Sequence, residues 1–523
     1  MSGDNNRIRT RTSHILEILL LAAIFLAGIH LLRERIDQKI IPYGDEGSWM
    51  SVASEVARGN GFATRWLEYP FLKPYAVPRP DDFRYPALTL IIASAFSVFG
   101  ISYTVALQVI ASIFLLFGLL IYYTVRCRYG RATGLTVYFL TTFSLLQLMW
   151  NSEVYTEGLF GVILASIVLV SVKVDPGKLK WWILTGILMG ILYLVRPNGI
   201  IFVPSLVIYA LILWRKKRIR LYYLLISLMI VFIVISPWLI RTYLHFGNPF
   251  HFAGSGGLLR TTQTDPATYT LKEFIGMHGV RYFFTSIRQG VLTFFGVLSS
   301  QEHGLNIIPM LYCVIAAFSR QRFYNGFITI SFALTFVACA YASKMYGWGG
   351  VRYFSPFLPF LYAYGISFLF KTATSLLSSL TGTENSYLKP AGISLIMLLI
   401  AAPVIYPHRY YERILSTKPI DSRDDYFTEL KEQLSASDIY YAGRLGQFNF
   451  ATGFRCIGIQ DLYTSEDLLE AQKHFNPQLM VLTHEEFDSQ TFQNFLYTLS
   501  TNGYSWRISA ENSIARYIRI SKN

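Results

Sequence analysis

The sequence predicts an α-helical polytopic membrane protein with a small soluble α/β domain at its C-terminus. Two observations carry the membrane part. Of 523 residues, 53% are hydrophobic and only 15% charged, whereas soluble chains carry about 25% charged residues. The apolar residues also gather in runs of about 15 to 22, the length a helix needs to cross a hydrocarbon core. A third observation supplies the soluble part: from about residue 408 charges become frequent and short strand-like runs replace the long apolar ones. Disordered, collagenous and small disulfide-rich classes are excluded. The four cysteines (Cys127, Cys313, Cys339 and Cys456) show no C-x-x-C spacing, so neither a disulfide framework nor a zinc site is expected. The formal charge of +14 follows from basic inner loops, and no nucleic-acid partner is expected.

The first apolar run, Ile15 to Leu32, follows Arg7, Arg9 and Arg11. It is too long for a signal-peptide core, so it reads as an uncleaved helix with its N-terminus inside. Further spans are expected at 103–124, 133–150, 158–172, 181–195, 199–214, 221–240, 304–319, 324–341, 352–370 and 390–406, about eleven in all. The inner loops then hold Arg126, Arg128 and Arg131, then Lys173, Lys178 and Lys180, then the cluster Arg215 to Arg220, and later Arg320, Arg322, Lys371 and Lys389. The short outer loops hold only Arg196, Lys344 and Arg352, an asymmetry that fixes orientation. Pro86 to Phe99 is short for a span, and Tyr282 to Ser300 is interrupted by Arg288 and Gly290. Both are expected as helices lying on the outer face, which keeps the basic loops inside. The membrane domain is expected to cover 1–407, with large outer loops at about 33–102 and 241–303. Residues 408–523 form the outer-face domain, with strands at Asp438–Ala442, Leu479–Thr483 and Ile514–Ile520. The chain has no internal repeat of the kind that marks transporters built from matched halves.

Polar residues collect on the expected outer side. Asp45 and Glu46 open the first outer loop, ahead of a helix expected at Gly47–Ala57. Asp45 could simply cap that helix. A second acidic cluster, Asn151 to Glu157 with Glu153, Tyr155 and Glu157, lands on the same side, and carboxylates so paired suit acid/base or metal-assisted transfer chemistry. Arg84-Tyr85, Arg196, Arg241 and Arg352-Tyr353 accompany them. Each arginine alone could be snorkelling to headgroups, but four on one face suit an anionic phosphate, which a guanidinium can grip with two hydrogen bonds.

With these residues in order, the chain resembles the GT-C superfamily of membrane-embedded glycosyltransferases, in the group of protein O-mannosyltransferases and lipid A aminoarabinose transferases. The resemblance spans about residues 15–370. Its carriers are Gly44-Asp45-Glu46-Gly47, Ala57-Arg58-Gly59-Asn60-Gly61-Phe62, Arg84-Tyr85-Pro86, Val98-Phe99-Gly100, Tyr155-Thr156-Glu157-Gly158, Arg196-Pro197-Asn198-Gly199, Pro237 to Arg241 and Phe246 to Phe250. It implies a catalytic acid at Asp45 with Glu46 beside it, a second acid at Glu157, and a lipid-phosphate ligand at Arg84. A single Pro86 follows Tyr85 where the family has paired prolines. The Arg352-Tyr353 pattern with Pro356 and Pro359 is also similar to the family's.

The expected activity is therefore transfer of a sugar, with inversion, from a polyprenyl-phosphate donor to an envelope lipid, glycan or protein, at the periplasmic face of a bacterial inner membrane. Asp45 acts as base; Arg84 and Arg352, with Tyr85, Tyr353 and Arg241, bind the donor phosphate; Glu153, Tyr155 and Arg196 support substrate binding. The loop 241–303, with Gly254 to Gly257, could close as a lid. A divalent cation such as Mg or Mn could bridge Asp45 and Glu157, but arginines can neutralise one phosphate, so no cofactor is expected. Two alternatives are a polysaccharide polymerase or ligase using lipid-diphosphate glycans, which does not explain Asp45-Glu46, and a lipid transporter, which would place charges at mid-span.

Overall fold

The computed structural model describes residues 2–37, 45–67, 76–251, 271–301, 307–318, 323–346, 348–381, 439–442, 454–458, 465–483, 487–511 and 515–523. In chain order the elements begin with α1 (Ser2–Asp37), α2 (Asp45–Ala57), β1 (Ala63–Thr64), β2 (Trp66–Leu67), β3 (Arg79–Pro80), α3 (Pro86–Phe99) and α4 (Tyr103–Tyr129). Next come α5 (Arg131–Phe143), α6 (Leu145–Asn151), α7 (Glu157–Lys173), α8 (Leu179–Val195), α9 (Phe202–Arg215) and α10 (Tyr222–Phe246). Then follow α11 (Leu271–Gln301), α12 (Ile307–Ala317), α13 (Gly326–Tyr346), α14 (Trp348–Phe354) and α15 (Leu358–Thr381). The last are β4 (Ile439–Ala442), β5 (Arg455–Gly458), α16 (Ser465–Phe475), β6 (Leu479–Thr483), α17 (Gln490–Thr501), β7 (Tyr504–Glu511) and β8 (Ala515–Lys522). They divide into two compact units. One holds Met1–Gln38, Ile110–Pro237 and Val280–Lys418; the other holds Lys39–Val109, Trp238–Gly279 and Pro419–Asn523.

Among the described residues six helical segments are long and apolar enough to cross a membrane: His14–Glu34, Tyr103–Tyr129, Pro197–Arg215, Tyr222–Phe246, Gly326–Ser343 and Gly350–Leu376. Each coincides with an expected span, and the protein is an integral membrane protein. α7 and α8, of 17 residues each, match two more in position. The expected span 133–150 is instead two helices. Ser144 adopts an extended backbone between α5 and α6, and its hydroxyl caps α6 by accepting from the Gln147 amide at 3.2 Å. Span 304–319 corresponds to the 11-residue α12, and 390–406 lies outside the described residues, as do Gly254 to Gly257 of the expected lid. The expected interfacial segments are the helix α3 and the C-terminal part of α11, which breaks at Gly279 with φ 69°.

The helical unit packs through small residues that the hydropathy pattern does not display. In α8, Gly186 and Gly190 stand one turn apart and face α10. A methyl group at Gly190 would lie 2.6 Å from Val234 Cβ, and one at Gly186 would lie 2.8 Å from the Ser227 carbonyl oxygen. Such close backbone approach supplies the dispersion contact that lipid, as apolar as leucine, cannot otherwise drive. At the opposite extreme of polarity, the buried Glu17 of α1 receives Arg126 Nε at 2.8 Å and the Tyr122 hydroxyl, with Arg131 Nε at 3.4 Å. The carboxylate thus ties α1 to α4 and α5.

The second unit is built on a six-stranded sheet in the order β2-β5-β4-β6-β8-β7. Strands β2, β5, β4 and β6 run parallel, while β8 is antiparallel to β6 and β7. The three expected strands are β4, β6 and β8. Alternation along β4 explains the layering. Tyr441 faces Leu468, Leu469 and Ala471 of α16 and Phe492, Phe495 and Leu499 of α17. Tyr440 and Ala442 face the other way, into a core with Val52 of α2, Trp66, Cys456 and Tyr517. Covered on both faces, the adjacent parallel strands β4 (Ile-Tyr-Tyr-Ala) and β6 (Leu-Met-Val-Leu-Thr) carry no charged residue, as buried parallel strands usually do not. The unit is not made from C-terminal residues alone. Its edge strand β2 comes from the segment between α2 and α3, pairing Trp66 with Cys456 and Leu67 with Ile457.

Candidate active site

The residues singled out from the sequence fall into two clusters, one in each unit. In the sheet-containing unit, α2 starts two residues earlier than expected, placing Asp45 and Glu46 together in its first turn. Adjacent helical residues point about 100° apart, and the two carboxylates meet different surroundings. Asp45 is exposed. Glu46 is fully buried and accepts the Tyr103 hydroxyl on both oxygens, at 3.0 and 3.1 Å.

The segment Ala57 to Phe62 turns out to be a folded turn. Gly59 and Gly61 both have φ near +80° (82° and 80°), a region costly for side chains with a Cβ. The buried Glu55 closes the turn by accepting Arg58 Nη1 and Asn60 Nδ2, each at 2.8 Å, and Arg65 Nε at 2.9 Å. The turn delivers the Phe62 carbonyl oxygen to two donors, the Asp81 amide at 3.2 Å and Arg241 Nη2 at 2.7 Å. The Arg241 guanidinium also lies 5.0 Å from the Phe62 ring and 4.6 Å from Trp238. Its Nη1 is buried with no hydrogen-bond partner among the described residues.

Arg84 is held from the same side. Its amide donates to Asp81 Oδ2 at 2.7 Å, its Nη1 lies 3.7 Å from Asp81 Oδ1, and its guanidinium sits 5.6 Å from the Trp66 ring. Tyr85 takes the extended conformation (φ −87°, ψ 151°) that a following proline favours, and its ring meets Trp238 at 5.9 Å. Pro86 then opens α3. Beside Asp81, Asp82 receives Arg79 Nη2 and contacts His251 Nε2, both at 2.9 Å. Burial pushes the Asp81 carboxyl up to about 6, against the opposing pull of Arg84 and with a further push from Asp82. Sequence reading missed Glu55, Arg79, Asp81, Asp82 and His251. The charge run Arg79-Pro80-Asp81-Asp82, directly before Arg84, was the available signal.

In the helical unit, Glu157 is the first residue of α7, where a helix N-terminus favours an anion. It is 1% exposed. Arg196 Nη2 donates to its Oε1 at 2.8 Å and Arg352 Nε donates to the same oxygen, while Oε2 has no hydrogen-bond partner among the described residues. Arg196 lies 4.7 Å from the Tyr353 ring, and Arg352 lies 3.8 Å from Tyr155 and 5.0 Å from Trp150. The structure therefore brings Tyr155, Glu157, Arg196, Arg352 and Tyr353 together, and buries Glu153 in the connection before α7. Arg352, expected at the donor phosphate, is engaged with Glu157. Among the described residues no group of three or more His, Cys, Asp or Glu is placed to hold a metal ion, and Glu157 already faces two guanidiniums. No step is assigned to a metal.

Residues 79–240 match the family model described as dolichyl-phosphate-mannose-protein mannosyltransferase. No curated protein sequence matches the chain. Among solved structures, the archaeal oligosaccharyltransferase AglB from Archaeoglobus fulgidus, in complex with an inhibitory peptide and a dolichol phosphate, is 12% identical with a TM-score of 0.61. That match covers 97% of this chain and 74% of AglB. The A. fulgidus oligosaccharyltransferase tethered to an acceptor peptide is 14% identical with a TM-score of 0.56, over 96% of this chain and 74% of that one. ArnT from Cupriavidus metallidurans bound to undecaprenyl phosphate is 14% identical with a TM-score of 0.48, over 96% and 97%. The helical array and its similarity to AglB assign the chain the GT-C fold.

Proposed function

We propose that this protein transfers a sugar from a polyprenyl-phosphate donor to a hydroxyl-bearing envelope acceptor, a lipid, glycan or protein, at the outer face of a bacterial inner membrane. The observation that carries the proposal is the contrast at the start of α2: Asp45 exposed, with Glu46 buried and fixed by Tyr103. In a chain with this fold, an exposed carboxylate on a rigid helix start suits a base that must meet a second substrate. The structure of AglB is in complex with a dolichol phosphate, which supports a lipid-phosphate donor, and the basic inner loops support the outward orientation.

In this mechanism Asp45 takes the proton of the acceptor hydroxyl as its oxygen attacks the anomeric carbon. The bond from that carbon to the phosphate oxygen breaks, the electron pair leaves with the polyprenyl phosphate, and the anomeric configuration inverts. Arg84 and Arg241 stabilise the growing phosphate charge, both held in place before substrate arrives by Asp81, Trp66 and the Phe62 carbonyl. Such preorganised donors contribute because they need not reorient during the reaction. Within the helical unit, Glu157 fixes the orientation of Arg196 and Arg352, and its Oε2 has no hydrogen-bond partner among the described residues.

Mass spectrometry of envelope lipids and glycans from cells with and without the protein tests the proposal. A glycosylated species that vanishes without the protein, returns with it and does not return with Asp45→Asn is the expected result. An unchanged glycan and lipid profile would overturn it.

A further inference from the structure

Asp81 and Phe62 hold two cations from distant parts of the chain, Arg84 at the Asp81 carboxylate and Arg241 at the neighbouring Phe62 carbonyl. Arg84 approaches from the loop before α3, through its amide at 2.7 Å and its Nη1 at 3.7 Å. Arg241 approaches from the end of α10, on the carbonyl that also receives the Asp81 amide, and its charge acts on Asp81. Asp81 is 1% exposed. The other charged groups beside it are Asp82 and, across Asp82, Arg79 of β3 and His251 beyond α10. Arg79 and His251 are spent on Asp82. Asp81 therefore stands against the two guanidiniums that a lipid phosphate would need, one of which keeps a buried Nη1 without a partner.

We propose that Asp81 is the resident counter-ion of the donor-phosphate site: its carboxylate neutralises Arg84 and Arg241 while the site is empty, and gives them up, taking a proton, when a lipid phosphate binds. The inference rests on the donor-site role given above to Arg84 and Arg241. Two buried anions cannot share these cations without strong repulsion, because charges in a weakly polar interior are poorly screened. Protonation removes one of them. The Asp81 carboxyl, raised to about 6 by its burial, is poised to make this exchange near neutral pH. The same exchange helps the product leave: as Asp81 loses its proton it competes again for the arginines, so the polyprenyl phosphate is not held indefinitely.

The test uses the full-length protein in detergent and a short-chain polyprenyl methyl phosphate. This diester carries one permanent charge and nothing that titrates between about pH 5 and 8. If the phosphate binds only with Asp81 protonated, the competent fraction rises from about one-tenth at pH 7 to about nine-tenths at pH 5, and the wild-type Kd should fall roughly tenfold. Asp81→Asn should bind at the tight limit at both pH values, turning a loss of charge into a gain of affinity, which a merely structural role would not produce. Calorimetry of the wild type in buffers of different ionisation heat should show uptake of nearly one proton at pH 7, retained in His251→Gln. That measurement decides the matter even if Asp81→Asn fails to fold. A pH-independent wild-type Kd, or no proton uptake, would overturn the counter-ion role. Arg84→Ala separates the two levels: undiminished binding would overturn the donor site itself, whereas lost binding with no proton uptake in the wild type would overturn only the counter-ion.

Discussion

Asp45 and Glu46 are adjacent and chemically similar, so replacing each by its amide distinguishes a reacting group from a structural one. Asp45 is exposed in the first turn of α2. Asp45→Asn removes one favourable charge from a helix N-terminus, a loss of about 0.3–1 kcal/mol, and asparagine and aspartate have similar helix propensity. Thermal unfolding in detergent should barely move. An amide has no useful basicity near neutral pH, however, and a positioned general base contributes about 10²–10⁴ in rate, or roughly 3–5 kcal/mol of barrier. Glu46→Gln reverses the pattern. It weakens a buried, charge-assisted hydrogen bond from Tyr103, worth about 1.5–3 kcal/mol, so melting temperature should fall while residual turnover per folded molecule is largely kept. The assay is formation of the protein-dependent glycosylated product, followed by mass spectrometry at equal folded protein. Full product formation by Asp45→Asn, or loss of turnover confined to a fully stable Glu46→Gln, would refute the assignment of the base.

Glu157→Gln leaves the buried Arg196 and Arg352 without their shared anion and should destabilise the helical unit by about 3–5 kcal/mol; a double variant Glu157→Gln, Arg196→Met should recover part of this loss in thermal unfolding. Gly190→Leu must push Val234 of α10 away from α8 and should cost at least about 1–3 kcal/mol, whereas leucine on the lipid-facing Ile187 of the same helix, which is 37% exposed, should be nearly neutral. Arg84→Lys keeps charge but loses the planar fork, so donor KM should rise with little change in melting temperature. Asp81 also sets a pH dependence of stability. Its folded-state carboxyl sits at about 6, above the ordinary 3.8, so the folded protein binds this proton more tightly than the unfolded chain. Its contribution favours folding as pH falls from about 6 towards 4 and costs up to about 3 kcal/mol above 6. Asp81→Asn should therefore melt higher than wild type at pH 8 and lose that advantage near pH 4.

The membrane part of the fold was legible because burial in lipid imposes a length and a composition that local sequence displays directly. The six long spans, the short helix at Pro86–Phe99 and the strands near 439, 479 and 515 were all read in place. What misled was continuity of hydropathy. The run 133–150 carries no charged residue, yet Ser144 divides it, because a hydroxyl able to cap the next helix costs little hydropathy. The glycine contacts of α8 with α10 were equally hidden, since Gly186 and Gly190 acquire meaning only from the residues facing them.

For the candidate site, the sequence by itself determined which charged residues stand out from the apolar runs: the acids at 45, 46 and 157 and the arginines at 84, 196, 241 and 352. Charge in a mostly apolar chain is conspicuous, and its cost in lipid confines it to loops and helix ends. Only the tertiary structure decided what each charge faces. It separated Asp45 from Glu46 by burial, gave Arg352 to Glu157, and drew Asp81 and the Phe62 carbonyl to Arg84 and Arg241. It also turned the Arg58-Gly59-Asn60-Gly61 motif into a scaffold around Glu55, and recruited Trp66 from the segment before α3 into the sheet of the C-terminal residues. The physical reason is range. Hydropathy acts along the chain over one helix length, whereas a buried charge is paired by whichever residue the fold brings within about 4 Å, and the Phe62 carbonyl and Arg241 are 179 positions apart.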